Sequence, residues 1–335
     1  MRTSLRRILV LIPVALLFAG VGDALAYPWP IKPFNKQHPV RGNFGDPRTV
    51  FQLPPGEDGL NGPGGFSFHN GVDISCPPGT AVYPVRSGTA RIKADSTVVV
   101  SAPNRPAFHY VHITPAVFDG QHVLAKRTVL GYVQAWAGHV HLTELDHGHV
   151  VNPLAPGHLS PYRDTIRPTI ASISVHDERG QEISPLGLSG RVQLTAEAYD
   201  LSSVPVPGPW FNLPVSPAFV AWRLERLATE TLAVPTTVTA DFRESEPSNR
   251  AFWRVYARGT YQNMPRFASE IFTSMPGRYV YNLTPGLLDT QTLANGVYVL
   301  WVLAVDVRGN WTSASQRISI FNDSGLHRSR VDTGP

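Results

Sequence analysis

Two short stretches that lie far apart in the 335-residue chain constrain its fold most. Residues 69–73 read His-Asn-Gly-Val-Asp, and residues 138–142 read Gly-His-Val-His-Leu. Side chains alternate between the two faces of a strand, so His139 and His141 project to the same side. Asn-Gly predicts a turn, because glycine reaches positive φ without steric cost, so the residues flanking it can point at one spot. We therefore expect a fold that brings both stretches together on a β-sheet.

The residue types in these stretches are those of a metal site. Two imidazoles and one carboxylate supply three ligands, and zinc held this way keeps its fourth position for water. An open position is typical of a catalytic zinc site rather than a structural one. The residues themselves leave open which histidine of the His-x-His pair would bind the ion.

Further motifs occur in a fixed order between about Pro39 and Pro153. They are Arg-Gly-Asn-Phe-Gly-Asp-Pro-Arg at 41–48, His-x3-Asp at 69–73, Tyr-Val-His at 110–112, His-x-His at 139–141 and Val-Asn-Pro at 151–153. Together they resemble the lysostaphin/LytM-type zinc endopeptidases, which cut peptidoglycan cross-links. The resemblance implies a mainly β protein with a compact antiparallel β-sheet catalytic domain of the duplicated hybrid motif type.

The resemblance also implies a role for each matched residue. His69, Asp73 and His141 would hold Zn²⁺, while His112 and His139 match the family's two histidines that do not bind metal. These two would orient the attacking water, relay its proton and stabilise the oxyanion. His-Glu-x-x-His is absent from the sequence, so a zincin-type glutamate base is not expected.

The implied function is hydrolysis of peptide cross-links or stem peptides of peptidoglycan through a zinc-activated water. The alternative is a non-catalytic cell-wall-binding regulator that activates another peptidoglycan hydrolase. Such members of the family typically lose metal ligands, whereas this sequence keeps all three and both auxiliary histidines. The enzyme is therefore the preferred interpretation, and the scissile bond is left open.

Charge and composition agree with a cell-wall substrate. The formal charge is +4 with a pI of about 9.3, which suits an anionic surface. No basic cluster with interleaved aromatic residues occurs, so nucleic acid is not an expected partner. The 31 prolines and 28 glycines indicate many turns and short strands rather than long helices. The sequence does not determine the oligomeric state.

The first 26 residues predict a secretory signal peptide. Arg2, Arg6 and Arg7 form its basic region, an apolar run follows from 8 to 21, and Ala-Leu-Ala at 24–26 is a cleavage site. We expect a mature chain beginning at Tyr27 that is extracellular, cell-wall-associated or periplasmic. No later apolar run has the length of a membrane span.

The rest of the chain divides into a predicted catalytic domain (27–160), a linker (161–166), an immunoglobulin-like β-sandwich domain (167–323) and a flexible tail (324–335). Residues 192–199 alternate apolar and polar side chains as a half-buried strand does. Further strands are predicted at 220–224, 252–256 and 278–283, and a central strand, apolar on both faces, at 296–306. We expect this second domain to be separable and to position the enzyme on its wall substrate.

Several single residues admit two interpretations. Cys76, the only cysteine, is either a buried small apolar residue or a fourth metal ligand. Glu144 is a candidate for orienting a ligand, because it lies near the acidic position of the family motif. Asp200 and Asp306 could bind calcium or cap turns.

Three other histidines fall in the first domain outside the matched motifs. They could line the cleft or serve surface and packing roles, which we expect to be the commoner outcome. They are His109, His147 and His149.

Overall fold

The computed structural model describes residues 26–49, 66–93, 97–263 and 276–322. The predicted signal peptide (apart from its last residue), a Gly/Pro-rich loop at 53–65 and the predicted tail at 324–335 lie outside these ranges. Among the described residues, no helix has the length and apolar character needed to cross a bilayer.

The first half of the chain, from 27 to 160, contains thirteen described strands. They are β1 (Val40–Gly42), β2 (Pro47–Arg48), β3 (Ser67–Phe68), β4 (Val72–Ser75), β5 (Ala81–Val82), β6 (Gly88–Lys93), β7 (Thr97–Ser101), β8 (Ala107–Val111), β9 (Ile113–Pro115), β10 (His122–Val123), β11 (Gly131–Val133), β12 (His139–Asp146) and β13 (His149–Val151). The main sheet has the order β1-β4-β12-β8-β7-β6-β10, with β13 also paired to β12. A second sheet has the order β5-β11-β9, and β2 pairs with β3.

Strand β12 is the centre of the main sheet. Its register sets His141 opposite Asp73 of β4 on one side and opposite Val111 of β8 on the other. Val140 and Leu142 are completely buried on the face that packs into the core. The alternate residues, His139 and His141, lie on the other face, as strand periodicity predicts.

The described residues of the second half, from 167 to 322, contain ten strands and little helix. They are β14 (Thr169–His176), β15 (Glu182–Ile183), β16 (Arg191–Leu201), β17 (Pro214–Val215), β18 (Phe219–Arg226), β19 (Thr231–Asp241), β20 (Val280–Asn282), β21 (Leu288–Asp289), β22 (Gly296–Val305) and β23 (Trp311–Ile320). One sheet has the order β15-β14-β16-β17, with β20 and β21 also paired to β16, and the other has the order β19-β18-β22-β23. The helix α1 (Phe252–Val255) and the 3₁₀ turns Gly208–Trp210, Asn249–Ala251 and Thr290–Thr292 lie between strands.

The predicted fold class is confirmed in its main feature. The described chain is mainly β, and every pairing between its named strands is antiparallel. Apolar side chains of both sheets in the second half belong to one buried cluster, as in two packed sheets. The immunoglobulin-like assignment of this half stays a prediction.

One local prediction in the second half was wrong, and another was confirmed in strand position but not in burial. Residues 252–255 form the helix α1 rather than a strand, and its Phe252 is completely buried beside other aromatic rings, so tertiary packing overrides the β-propensity of the segment. Strand β22 is central, between β18 and β23, but its burial alternates: Leu300 is buried and Val297 is exposed. Only one face of this sheet packs on the core, which is common in antiparallel sheets.

The two halves share one buried interior. Phe242 packs so closely over Gly45 that a Cβ atom there would lie 2.4 Å from its ring. The backbone N–H of Asn152 donates to Glu244 O at 2.8 Å, and its side-chain amide donates to Phe242 O at 2.8 Å. Residues of both halves belong to one continuous hydrophobic cluster. The predicted boundaries at 160 and 167 stay a prediction, and these contacts lead us to expect that the halves do not separate.

Candidate metal centre and cleft

Three potential metal-ligand atoms converge where β4 meets β12. His69 Nε2 lies 3.1 Å from Asp73 Oδ1 and 2.8 Å from His141 Nδ1, and His141 Nδ1 lies 3.0 Å from the same Asp73 oxygen. All three side chains are largely buried. The sequence stretches that were expected to meet therefore do meet, because antiparallel pairing sets His141 directly opposite Asp73.

Hydrogen bonds on the far sides of the rings orient the two imidazoles. His69 Nδ1 donates to the carbonyl oxygen of Asn43 at 2.8 Å, which leaves the lone pair on Nε2. The Thr143 hydroxyl, 2.8 Å from His141 Nε2, can accept the proton there and leave the lone pair on Nδ1. Two nitrogen lone pairs and a carboxylate oxygen then face one another at close range. Such acceptors repel one another unless a cation lies between them, so these residues fit a metal ion and the donor set fits zinc.

The charge state of the cluster suits metal binding. Burial raises the pKa of Asp73, but its interactions with His69, His139 and Arg48 outweigh burial and hold the pKa well below its usual value. Arg48 Nη2 contacts Asp73 Oδ2 at 2.9 Å, which leaves Oδ1 toward the histidines. Burial, followed by the charge of Arg48, lowers the pKa of His69 to about 3. The cluster therefore offers an ionised carboxylate and a neutral imidazole, the forms that bind metal.

Gly71 is required for a reason other than the predicted one. The Asn-Gly pair was expected to form a turn with a positive φ at glycine, but Gly71 is not among the glycines with positive φ. A Cβ atom at this position would lie 2.4 Å from the carbonyl oxygen of Leu142 and 2.8 Å from His141 Nε2. Glycine is needed here because the chain entering β4 passes directly over β12.

His112 reaches the cleft through a break in strand alternation. Val111 lies opposite His141 in the sheet, so a regular continuation of β8 would point His112 toward the core. Instead, His112 has a φ of 66°, an uncommon value for a residue with a side chain. Its ring centroid lies 4.6 Å from that of His139 and 5.0 Å from that of Trp136. Burial, followed by the charge of His139, lowers the pKa of His112 to about 3.

His139 lies beside His69, Asp73 and His141, the candidate ligands that we call the metal-ligand group, and it is contacted by Arg41 of β1. Arg41 Nη2 lies 2.6 Å from His139 Nδ1, and because guanidinium only donates, this ring nitrogen accepts. His139 Nε2 lies 3.3 Å from Asp73 Oδ1. The carbonyl oxygen of Ala137 also lies 3.0 Å from His139 Nδ1, and it favours the tautomer in which Nδ1 carries the proton. Arg41 favours the tautomer in which Nε2 carries it, so the position of Arg41 influences which nitrogen is protonated.

Two residues that the sequence suggested for the metal site, Glu144 and Cys76, lie away from the candidate ligands. Glu144 accepts hydrogen bonds from the hydroxyl of Tyr27 and from His158 Nδ1 at 2.7 Å, on the face of β12 opposite the ligands. Thr143, one residue earlier, makes the contact to His141 that was suggested for Glu144, and no sequence motif pointed to it. Cys76 is half-buried against the core and absent from the potential ligand group among the described residues. Burial raises the pKa of its thiol to about 11.

The other histidines of the first half do not line the cleft of the described structure. The side chain of His147 is 89% exposed and pairs with Asp146, His149 is exposed, and His109 is half-buried on β8. Surface and packing roles were the expected outcome for these residues. In the second half, Asp306 accepts from the backbone N–H groups of Arg308 and Asn310, as a turn cap does. Its carboxyl group also lies near those of Asp164 and Asp200, with ligand oxygens within 4.8 Å of one another.

The metal-ligand group opens into a cleft of about 520 Å³ between the two halves of the chain. From the first half, the lining includes Arg41, Arg48, His69, Asp73, His112, Trp136, His139 and His141. From the second half, it includes Trp210, Glu246, Asn249, Gln262, Asn263 and Tyr279, which we call the second wall. No sequence motif pointed to the second wall.

The two sides of the cleft contact each other through Arg41. The guanidinium of Arg41 stacks on the ring of Trp210, with its central carbon 4.1 Å from the ring centroid, while its Nη2 contacts His139. The second half therefore helps to hold a histidine that stands beside the metal-ligand group.

No protein-family model and no curated protein matches the chain. Among solved structures, it is similar to a point mutant of the catalytic domain of EnpA, a prophage-encoded M23 protein from Enterococcus faecalis. The identity is 24% over 33% of this chain and 91% of that chain, with a TM-score of 0.25. Csd3 from Helicobacter pylori has 18% identity over 36% of this chain and 34% of that chain, with a TM-score of 0.24. Pseudoalterin, described as an M23 metalloprotease from the deep sea, has 14% identity over 47% of this chain and 86% of that chain, with a TM-score of 0.27. At these TM-scores, the similarities define neither the fold nor the activity of this chain.

Proposed function

We propose that the protein is an exported zinc metalloendopeptidase of the lysostaphin/LytM type that hydrolyses peptide bonds of peptidoglycan. The observation that carries the proposal is the convergence of His69 Nε2, Asp73 Oδ1 and His141 Nδ1 beside two further histidines in an open cleft. Zinc, when bound there, supplies a Lewis acid that polarises a carbonyl group and lowers the pKa of water toward neutrality.

Proton transfer and oxyanion stabilisation are the tasks of the protein's own side chains. His112 and His139 stand side by side next to the ligand group, where one can accept a proton from water and the other can stabilise the developing oxyanion. Their neutral forms suit proton acceptance, and the lowered pKa of His112 keeps that ring neutral at physiological pH. Trp136 packs edge-on against His112 and limits the positions that its ring can take.

The acids of the cleft favour peptide hydrolysis over glycoside hydrolysis. A glycosidase needs two free carboxyl groups that flank one bond. Asp73 is committed to Arg48 and the histidines, and Asp46 accepts hydrogen bonds from the backbone N–H groups of Asn43 and Ser216. Glu246 is the only other acid among the described lining residues, so no working pair is available.

The proposal includes export by the signal peptide at 1–26 and action at the cell wall. A non-catalytic regulator of another hydrolase is the competing function. The complete ligand set and the two auxiliary histidines support the enzyme, because a protein that only binds has no need of them. The metal content of the purified mature chain and its action on a wall substrate distinguish these functions.

The test uses purified sacculi incubated with the zinc-loaded mature chain, with products analysed by mass spectrometry. We expect new free amino groups and released or shortened peptides, and no new reducing sugar ends. A chelator should abolish product formation, and added zinc should restore it. New reducing ends without new amines would contradict the proposal, and a metal-free protein that stimulates a second hydrolase would support the regulator.

A further inference from the structure

The second wall contains polar groups in two different situations. Most are engaged in holding backbone segments in place. Asn249 Oδ1 accepts from the N–H of Phe68, Gln262 Oε1 accepts from the N–H of Thr49, and Asn263 Nδ2 donates to Pro214 O. These amides hold the backbone segments that shape the cleft.

Two polar side-chain atoms of the second wall make no such hydrogen bond within the described residues. Glu246 Oε2 and Trp210 Nε1 are both buried, and neither has a hydrogen-bond partner in the part of the chain that the structure describes. Both residues line the cleft that contains the metal-ligand group. One atom is an acceptor and the other is a donor, so together they match a ligand that carries both kinds of group.

The environment of Glu246 makes an unpaired carboxylate costly. Among the residues that the structure describes, burial is the only cause of its pKa shift, which raises the pKa to about 8, and no described cation offsets it. A buried carboxyl group without a partner costs free energy that a ligand cation would recover. By contrast, Asp73 on the opposite side of the cleft contacts the guanidinium of Arg48 and three histidine rings.

We propose that Glu246 forms an ammonium-binding subsite in the second wall, where it pairs with a free amino group of the peptide substrate while Trp210 Nε1 donates to an oxygen of the same peptide. This inference rests on the proposed function. It assigns substrate selection to the second half of the chain, since both residues come from the segment beyond residue 167. Peptidoglycan stem peptides that contain a diamino acid carry such a group.

The test compares dimeric muropeptides with free amino groups and the same muropeptides after acetylation. The zinc-loaded wild-type chain should hydrolyse the free-amine form with a kcat/KM about 10- to 100-fold higher, the range expected for one charge-assisted hydrogen bond. Glu246→Gln, which keeps the size and removes the charge, should lose this preference by losing activity on the free-amine form alone. Glu244→Gln is the matched control, because Glu244 is exposed and lies two residues away.

Trp210→Phe keeps an aromatic ring against Arg41 and removes only the N–H donor. It should lower kcat/KM by about 3- to 10-fold on both muropeptide forms, because the accepting oxygen is present in both. An unchanged kcat/KM would remove the indole from the subsite.

The outcomes separate this inference from the proposed function. Equal hydrolysis of both forms by the wild-type chain, or an undiminished preference in Glu246→Gln, would overturn the subsite and leave the peptidase standing. If neither form is hydrolysed, the proposed function fails on this substrate, and calorimetric titration with the same two muropeptides decides the subsite. Tighter binding of the free-amine form by wild type but not by Glu246→Gln would support it, and equal binding would overturn it.

Discussion

The two sides of the cleft are built in different ways. The metal-ligand side is formed by paired strands, where register alone sets His141 opposite Asp73. The second wall is formed by loop and short helical segments, and side-chain amides such as those of Asn249 and Gln262 hold the backbone of the first half against it. A sheet gives the precise placement that a metal site needs, and loops give the variable surface that recognises a substrate. Under our proposals, the chemistry belongs to the first half and selectivity belongs to the second.

The largest expected effect comes from replacing the candidate ligands on the metal-ligand side of the cleft. His69→Ala, Asp73→Ala and His141→Ala should each lose zinc and all hydrolysis, because each removes one of only three protein ligands. Zinc content by plasma spectrometry, measured beside turbidity of a sacculus suspension, reads both quantities. Asp119→Ala is the control, since this acid is exposed and its contacts are to Arg91 and to the backbone N–H of Ile92, at the surface. Retention of zinc in His141→Ala with loss in His139→Ala would reverse the ligand assignment.

A smaller effect is expected for the two auxiliary histidines. His112→Ala and His139→Ala should keep zinc and lose on the order of 10²–10⁴ in rate, because they act on protons and charge rather than on the metal. The exposed His149→Ala should keep both zinc and rate. Full activity in His112→Ala would remove that residue from the mechanism.

The packing between the two halves of the chain can be weakened without changing any residue that lines the cleft. Phe242→Ala removes a completely buried ring that packs on Gly45 and contacts Phe68 and Tyr256, and it should cost about 3–5 kcal/mol of unfolding free energy. Denaturant unfolding measures this, and Phe211→Ala, at an exposed position, is the control. A loss below 1 kcal/mol, or two separate unfolding transitions, would show that the halves are independent, as the sequence predicted.

The smallest expected effect concerns Asp200 in the second half, whose pKa is raised, whereas that of Asp73 in the first half is lowered. Burial, followed by the charge of Asp164, raises the pKa of Asp200 to about 8, so the folded state keeps a proton that the unfolded state releases near pH 4. Stability from this group is present below pH 4 and is lost as pH rises toward 8. Asp200→Asn should flatten the stability profile in this window, by a few kcal/mol at most, and leave zinc content unchanged. Unfolding at several pH values measures the profile, and an unaltered profile would contradict the shift.

The convergence of His69, Asp73 and His141 could be predicted from the sequence, because it depends on local spacing and strand periodicity. Alternation along β12 places His139 and His141 on one face, and the spacing of His69 and Asp73 keeps both near one end of β4. The helix at 252–255 was missed, because four residues packed among aromatic rings follow their surroundings rather than their propensity. Glu144 was suggested by a motif offset, but the strand turns it to the opposite face from the ligands.

By itself, the sequence determined the strand-rich character of the chain and the placement of His139 and His141 on one strand face, because these depend on residue type and short-range spacing. The roles of the individual histidines and of Asp73 stay predictions from the family resemblance. Only the tertiary structure decided which groups stand across the cleft. Glu246 and Trp210 come from the segment beyond residue 200, and no periodicity links them to His69 or His139. The packing of Phe242 on Gly45 and the stacking of Arg41 on Trp210 bring them there, through contacts between residues more than 160 positions apart. Such contacts are set by the burial of apolar surface between the halves, which depends on the whole fold rather than on any single stretch.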